Sequence, residues 1–159
     1  MKKITLMLLA FGFLAVSSCK KEESSSETKT KTELLTAKAW KITAVSINPG
    51  ITPIPGGPTI TDLYAILETC SKDDTEKYNT GGTGVTDEGA TKCNPSAPQT
   101  ENFTWSFLAN ETQLKYDDDV FNIVQLDATT LKFTIPVDGA DIGGAAGTTY
   151  TVTTTFKNN

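Results

Sequence analysis

Alternation of apolar and polar residues is the feature that most constrains how this chain can fold. The alternation recurs in short runs over residues 103–107, 114–116, 131–137 and 150–156. Because successive side chains of a β-strand point to opposite faces, this period of two predicts half-buried strands. Turn-forming residues separate the runs, so the pattern indicates an antiparallel meander that curls into a barrel or packs as a sandwich.

Two predicted strands change their apolar phase partway along. In residues 40–47 the apolar side chains switch from even to odd positions. One extra residue in a strand produces such a switch, so we expect a β-bulge there. Residues 120–126 switch in the same way, and there the alternatives are a bulge near Ile123 or a strand that is covered on both faces.

Proline, glycine and helical spacing define the remaining elements. Residues 48–58 contain four prolines and three glycines, which predicts that the first strand ends at Asn48 and that a stiff surface loop follows. Apolar residues at helical spacing predict a short helical turn within residues 60–67. The polar residues 73–79 and 83–87 predict one hairpin.

The N-terminal segment has the features of a lipoprotein signal peptide. Two lysines precede a short apolar run that ends at Val16, and we expect residues 1–18 to be removed. The sequence Val16-Ser17-Ser18-Cys19 resembles a bacterial lipobox, which implies that Cys19 carries the lipid. An ordinary secretory signal with an incidental cysteine is the alternative.

Residues 19–33 are interpreted as a disordered tether, because residues 20–32 have no apolar side chain. The folded domain is expected over residues 34–159, beginning with a short helical turn. Residues 20–23 resemble a charged export signal for surface lipoproteins, with a solvated charge run as the alternative. We therefore expect a protein anchored by lipid to the outer membrane, on its periplasmic side or surface-exposed.

Composition excludes several classes of function. The 14 basic residues are all lysine, there are 19 acidic residues, and the net charge is −5. Without a basic patch or arginine, nucleic acid is not an expected partner. The chain has no histidine, which excludes Ser-His and Cys-His nucleophiles, and we expect no enzyme activity and no cofactor.

The three cysteines are assigned by elimination. If Cys19 is lipidated, Cys70 and Cys93 remain as a pair in an exported protein, and a disulfide is expected. Two cysteines alone do not complete a zinc site, so no metal is expected. The acidic residues 117–119 and the pair Asp138 and Asp141 are interpreted as solvated turns and not as metal or catalytic sites.

The order of several motifs resembles a known family. The motifs are Trp40, Cys70 with Lys72-Asp73-Asp74, residues 88–93, Thr104-Trp105-Ser106-Phe107 and residues 123–132. Together they are similar to the lipocalin-like domain of many small Bacteroidetes lipoproteins, over roughly residues 34–156. The resemblance implies an all-β, antiparallel up-and-down barrel of about eight strands, and it implies little about activity. Trp40 follows Lys38-Ala39 and not the Gly-x-Trp of lipocalins, so their ligand-binding properties do not carry over.

Aromatic residues in strand phase are the candidate lining of the barrel lumen. They are Trp40, Trp105, Phe107, Tyr116, Phe121, Phe133 and Tyr150. An eight-stranded barrel either fills with side chains or holds one small ligand. Two functions follow: a barrel that binds a small apolar ligand between these rings, or a solid barrel that serves as an interaction, accessory or inhibitor lipoprotein with a protein partner.

Overall fold

The computed structural model describes residues 29–158 and shows one short α-helix and nine strands in that range. The elements are α1 (Lys31–Thr36), β1 (Trp40–Ile51), β2 (Ile60–Asp62), β3 (Thr75–Asn79), β4 (Thr83–Asp87), β5 (Thr100–Leu108), β6 (Gln113–Tyr116), β7 (Asp119–Leu126), β8 (Thr130–Asp138) and β9 (Thr149–Asn158). Three short 3₁₀ helices lie at Tyr64–Ile66, Cys70–Lys72 and Gly139–Ile142. In the described part of the chain, no helix is long and apolar enough to cross a membrane.

Eight of the strands form a closed antiparallel barrel, which confirms the predicted fold class. Each strand from β3 to β9 pairs with the next one along the chain, and β1 pairs with both β9 and β3 to close the ring. The ninth strand, β2, pairs with the far end of β1, from Ser46 to Ile51. Strands β3 and β2 therefore pair with the same edge of β1, β3 near its start and β2 near its end.

Both predicted bulges are present. The register between β1 and β9 shifts between Ile42 and Ala44, and the register between β7 and β8 shifts between Ile123 and Gln125. The shift in β1 lets Ile42 and Ile47 both face inward, and the shift in β7 lets Ile123 and Leu126 both pack against the core despite the change in phase. For residues 120–126, the bulge and not a strand covered on both faces is therefore the explanation.

The expected end of the first strand at Asn48 is wrong. Strand β1 continues through a cis Asn48–Pro49 peptide bond to Ile51. The strand tolerates Pro49 because its pairing with β9 ends at Asn48, and its pairing with β2 resumes at Ile51. Proline lacks only the N–H that a ladder needs, so it fits between paired positions. The expected helical turn within residues 60–67 is the 3₁₀ helix at Tyr64–Ile66, and strand β2 precedes it.

We call the two ends of the barrel the base and the mouth. The base carries α1 and the turns at residues 80–82, 109–112 and 127–129, whereas the mouth carries the connections at residues 52–74, 88–99, 117–118 and 139–148. Helix α1 begins at Lys31, inside the segment interpreted as a tether. A capping box stabilises its start, because Thr30 Oγ1 accepts from the Glu33 N–H and Glu33 Oε2 accepts from the Thr30 N–H.

Helix α1 seals the base. It packs against β3 and β7 and buries Leu35 completely. The Lys77 ammonium group donates to the Thr36 carbonyl at 2.6 Å and so ties the end of the helix to β3. The indole N–H of Trp40 donates to the Leu35 carbonyl at 2.8 Å. This buried donor is therefore paired, as a polar group in a core must be.

The core has two parts. The larger cluster fills the barrel and consists of Leu35, Trp40, Tyr78, Phe103, Trp105, Leu114, Leu131, Phe133 and Phe156. A smaller cluster of Ile47, Ile51 and Tyr150 lies under the mouth connections and packs against Ile60, Leu63, Val137, Ile142 and Val152. Strands β1 and β9 are the longest, with 12 and 10 residues, and the smaller cluster fills the mouth on the side of β1, β8 and β9.

The predicted disulfide is present at the mouth. Cys70 and Cys93 are bonded, with their Cα atoms 5.2 Å apart. The bond joins the segment just before β3 to the connection between β4 and β5. It therefore fixes the rim beside the short strands β3 and β4, which have five residues each.

Candidate functional site

A recess opens at the mouth between facing walls of the barrel. Its volume is about 210 Å³, and its lining comes from strands β3, β6, β7 and β8. The lining residues are Glu76, Tyr78, Leu114, Tyr116, Asp119, Phe121 and Phe133. Strand β3 lies across the ring from β7 and β8, so this space is the upper lumen. We refer to it as the mouth recess.

Ring-to-ring contacts hold the aromatic walls of the mouth recess in place. The rings of Phe121 and Phe133 lie 4.5 Å apart, and Tyr116 stacks on Phe103 at 4.2 Å with an angle of 20° between the ring planes. The edge of Tyr78 meets Phe103 at 5.1 Å. Such offset and edge-to-face pairs are stable arrangements of aromatic rings. The walls are therefore formed before any ligand arrives.

Glu76 supplies a carboxyl group to this aromatic space. The hydroxyl of the fully buried Tyr78 donates to Glu76 Oε2 at 2.8 Å. Burial raises the pKa of Glu76 to about 6, against the lowering effect of this hydrogen bond. Burial and the neighbouring Glu76 raise the pKa of Tyr78 well above 10. Tyr78 therefore stays protonated near neutral pH and acts as a donor.

A second, smaller recess lies beside the first and shares Glu76 with it. Its volume is about 140 Å³, and it is lined by Ile42, Ser71, Asp74, Glu76, Thr86 and Phe156. Asp74 Oδ1 is buried there without a hydrogen-bond partner among the described residues. Burial, followed by the charge of Glu88, raises the pKa of Asp74. We call this space the side recess.

The rim around both recesses is fixed by hydrogen bonds in addition to the disulfide. Asp73 Oδ2 accepts from the backbone N–H groups of Ala90 and Thr91 at 2.8 and 2.9 Å. The hydrogen bond from the Thr91 hydroxyl is the main cause that lowers the pKa of Asp73. A hydrogen bond of 3.2 Å between the hydroxyls of Tyr116 and Thr86 joins β6 to β4. Hydrogen bonds and a disulfide therefore hold the connections at the mouth in place.

The structure brings together three of the seven residues expected in the lumen lining. Tyr116, Phe121 and Phe133 line the mouth recess. Trp40, Trp105 and Phe107 belong to the barrel core but lie outside the recess lining, and Tyr150 belongs to the smaller cluster, where its hydroxyl accepts from the Ala145 N–H at 3.1 Å. Cys19, the expected lipidation site, lies outside the described residues.

The sequence analysis missed the polar members of the site. Glu76 and Tyr78 are two positions apart in the predicted polar hairpin, so a period of two already places both on one face. The acidic segment 117–119 divides into two roles. Asp117 Oδ1 accepts from the Thr104 N–H and hydroxyl and so stabilises the turn, whereas Asp119 lines the mouth recess.

Other acidic and sulfur groups have structural roles. Asp138 Oδ1 accepts from the N–H groups of Ala140 and Gly147 and closes the loop before β9. Within residues 29–158, one group of ligand-type side chains lies close enough together to hold a metal ion: Glu68, Cys70 and Cys93. The disulfide uses both sulfur atoms, so this group offers no thiolate to a metal.

Comparison with known proteins adds one result. The family model described as a lipocalin-like domain matches residues 36–133, from the end of α1 to the middle of β8. No curated protein matches the chain.

Proposed function

Since the chain belongs to the lipocalin-like domain family, we propose that its barrel binds one small, largely apolar ligand in the mouth recess. The observation that carries the proposal is a lumen sealed at one end and open at the other, with preformed aromatic walls around about 210 Å³. Small-molecule sites are usually concave, mostly apolar and largely preformed, with a few polar groups that set orientation. Glu76, Tyr78 and Tyr116 supply those polar groups.

The proposal includes an outer-membrane anchor. Residues 1–18 act as the signal peptide, and Cys19 carries the lipid that holds the barrel at the membrane, facing the periplasm or the surface. The lipobox-like sequence Val16-Ser17-Ser18-Cys19 supports this part. We also propose that the protein acts by binding and not by catalysis. The absence of histidine from the whole sequence supports this proposal.

A test of the anchor compares the wild type with Cys19→Ala. We expect the wild type to fractionate with the outer membrane and to carry an acyl mass on its N-terminal peptide, and we expect the variant to leave the membrane fraction. An unacylated wild type that partitions like the variant would contradict the anchor without touching the ligand proposal.

A second candidate function is a protein-interaction lipoprotein whose barrel serves as a solid support. Ile54 and Ile66, both on the long connection at the mouth, are 71% and 63% exposed. Exposed apolar side chains at one end of a barrel suit contact with a partner protein. Ile54→Ser and Ile66→Ser would weaken the binding of such a partner, whereas neither change would affect the binding of a ligand in the mouth recess.

Native mass spectrometry of protein purified from its own membrane tests ligand binding directly. We expect a retained small molecule on the wild type. Phe121→Trp places a larger ring in the lining, which reduces the volume of the recess and should expel the ligand. Val124→Trp adds the same ring to the same strand at a position that is 59% exposed, so it is the matched control. A folded wild type without any adduct, or equal adducts on both variants, would contradict the proposal.

A further inference from the structure

The lining of the mouth recess and the side recess carries negative charge and no positive charge. Its carboxyl groups belong to Asp74, Glu76 and Asp119, and no lysine is among the described residues that line either space. Lys41 lies near Asp74 and partly offsets its charge, but it does not line a recess. A negative lumen attracts a cationic ligand and repels an anionic one.

Glu76 sits between the two recesses with one oxygen committed and one free. Its Oε2 accepts the hydrogen bond from the Tyr78 hydroxyl. Its Oε1 accepts no hydrogen bond from any residue in the described range 29–158. A carboxylate in an enclosed site is costly unless it is paired. Glu76 Oε1 is not among the fully buried unpaired oxygens of the described residues, so it reaches the open space of the recess, where a ligand can contact it.

Four aromatic rings line the same recess as this carboxyl group. Tyr78 and Tyr116 stand on strands β3 and β6, and Phe121 and Phe133 on strands β7 and β8. The faces of aromatic rings carry negative electrostatic potential and attract cations, most strongly where water is excluded. A recess lined by a carboxylate and four aromatic rings is therefore a suitable environment for an ammonium group.

We propose that the ligand of the mouth recess is a small primary amine in its protonated form, whose ammonium group pairs with Glu76 and whose apolar body packs against Phe121 and Phe133. This inference rests on the proposed function and adds the chemical class of the ligand. The volume of about 210 Å³ is below the range of roughly 300–1,000 Å³ for drug-sized ligands. The amine is therefore smaller than a drug-sized molecule, on the scale of one ring with a short chain.

The pKa of Glu76, raised by burial to about 6, gives the pairing a pH dependence. Above this pH the carboxyl group is ionised and binds the amine, and below it protonation weakens the pair. The other titratable groups that face Glu76 are Asp74, Tyr78, Tyr116 and Asp119, from β6, β7 and the segment before and along β3. Because Asp74 also has a raised pKa, the pH profile of amine binding is compared between the wild type and Glu76→Gln.

The test uses three probes of one shape and different charge on the purified full-length protein. 2-Phenylethylamine is the cation, 2-phenylethanol the neutral probe and 3-phenylpropanoate the anion, each titrated by calorimetry at pH 7.5 and at pH 5. We expect the amine to bind about tenfold or more tightly than the alcohol at pH 7.5, as a charged hydrogen-bonded pair provides. The anion should bind most weakly, and the preference for the amine should shrink at pH 5.

Two variants separate the specific pair from general charge. Glu76→Gln keeps an oxygen for the Tyr78 hydroxyl and removes the charge, so it should lower amine affinity about tenfold and leave alcohol affinity within about twofold. Asp119→Asn removes one charge at the rim of the same recess and should lower amine affinity by only about two- to threefold. Denaturant curves confirm that both variants are folded.

The outcomes distinguish the two proposals. If the alcohol binds as tightly as the amine, or if Glu76→Gln leaves amine affinity unchanged, the amine inference is wrong and small-ligand binding stands. If the anion binds most tightly, the inference is also wrong. If the folded wild type binds none of the probes and retains no small molecule from its own membrane, both proposals are wrong.

Discussion

The base and the mouth of this barrel are built from the same alternating strands, yet one is closed and the other is open. At the base, Leu35 and Trp40 are fully buried, and α1 covers the end of the lumen. At the mouth, the facing walls leave about 210 Å³ between them. The strand pattern alone does not decide which end stays open. That depends on what covers each end and on which residues hold the inward positions.

The inward positions differ in chemistry between the two ends. Trp105 points into the core with its indole N–H donated to the carbonyls of Asn79 and Thr83, at 3.1 and 2.9 Å. Glu76 occupies an inward position on β3 near the mouth, where a carboxyl group cannot pack against rings without a partner. A polar residue at an inward position near one end therefore keeps that end from closing.

The largest expected effect is the loss of a ring from the base. Trp40→Ala should lower the free energy of unfolding by about 3–5 kcal/mol, because the ring is only 1% exposed and its N–H is paired with Leu35. Phe121→Ala at the mouth should cost about half as much or less, since that ring borders open space. Urea denaturation at pH 7 measures both. Equal losses would show that the mouth is packed like the base.

The second effect concerns what holds the mouth together. Replacing both Cys70 and Cys93 by serine should cost about 3 kcal/mol, from the loop entropy of a sequence separation of 23 residues. The same change should weaken ligand binding, because the disulfide ties the segment before Glu76 to the neighbouring connection between β4 and β5. Unfolding and calorimetry on the oxidised wild type and the double variant test this. Full binding in the double variant would mean that Asp73 and its hydrogen bonds suffice.

Glu76, at the mouth, should lower the free energy of unfolding of the protein as pH rises. Its folded pKa of about 6 lies above the ordinary value of 4.5, so the folded state holds its proton more tightly than the unfolded state. Stability therefore falls between pH 4.5 and 6 and stays flat above, by at most about 2 kcal/mol for this group. Glu76→Gln should remove that decline and be more stable than wild type at pH 7.5. Unfolding curves from pH 4 to 8 measure the difference between the two proteins.

The smallest effect is at the base and has the opposite sign. The pKa of Asp127 is lowered to about 2, first by the hydrogen bond from the Thr129 N–H and then by the Gln125 and Thr129 side chains. A lowered folded pKa stabilises the protein above pH 3.8, and this contribution is lost as pH falls through about 2. Asp127→Asn should therefore lower Tm slightly at pH 7 and lose the difference from wild type at pH 2. An unchanged Tm at pH 7 would show that the turn does not need the charge.

Much of the fold could be predicted from sequence because alternation is a local signal. The bulge in residues 40–47 and the bulge near Ile123 both follow from a phase switch in adjacent residues, and the register confirms them. The disulfide followed from elimination among three cysteines and is present. The continuation of β1 past Asn48 was missed because it depends on partners in β9 and β2, which are distant in sequence.

The candidate site was less accessible from the sequence. Strand phase found Tyr116, Phe121 and Phe133, but it could not separate them from Trp40 and Trp105, which share that phase and lie toward the base. Height along the barrel axis depends on register across all eight strands, and no local pattern contains it. Glu76 was overlooked because a glutamate in a polar hairpin is ordinarily exposed.

The positions of the two indoles have a spectroscopic consequence. The chain has two tryptophans, Trp40 and Trp105. Both are buried in the core with paired N–H groups, and neither lines the mouth recess. Their intrinsic fluorescence should be blue-shifted and should report unfolding, while changing little when a non-absorbing ligand occupies the recess. Tyr78 and Tyr116, in contrast, stand in the lining, so the same molecule carries one optical reporter for its folded state and another for occupancy.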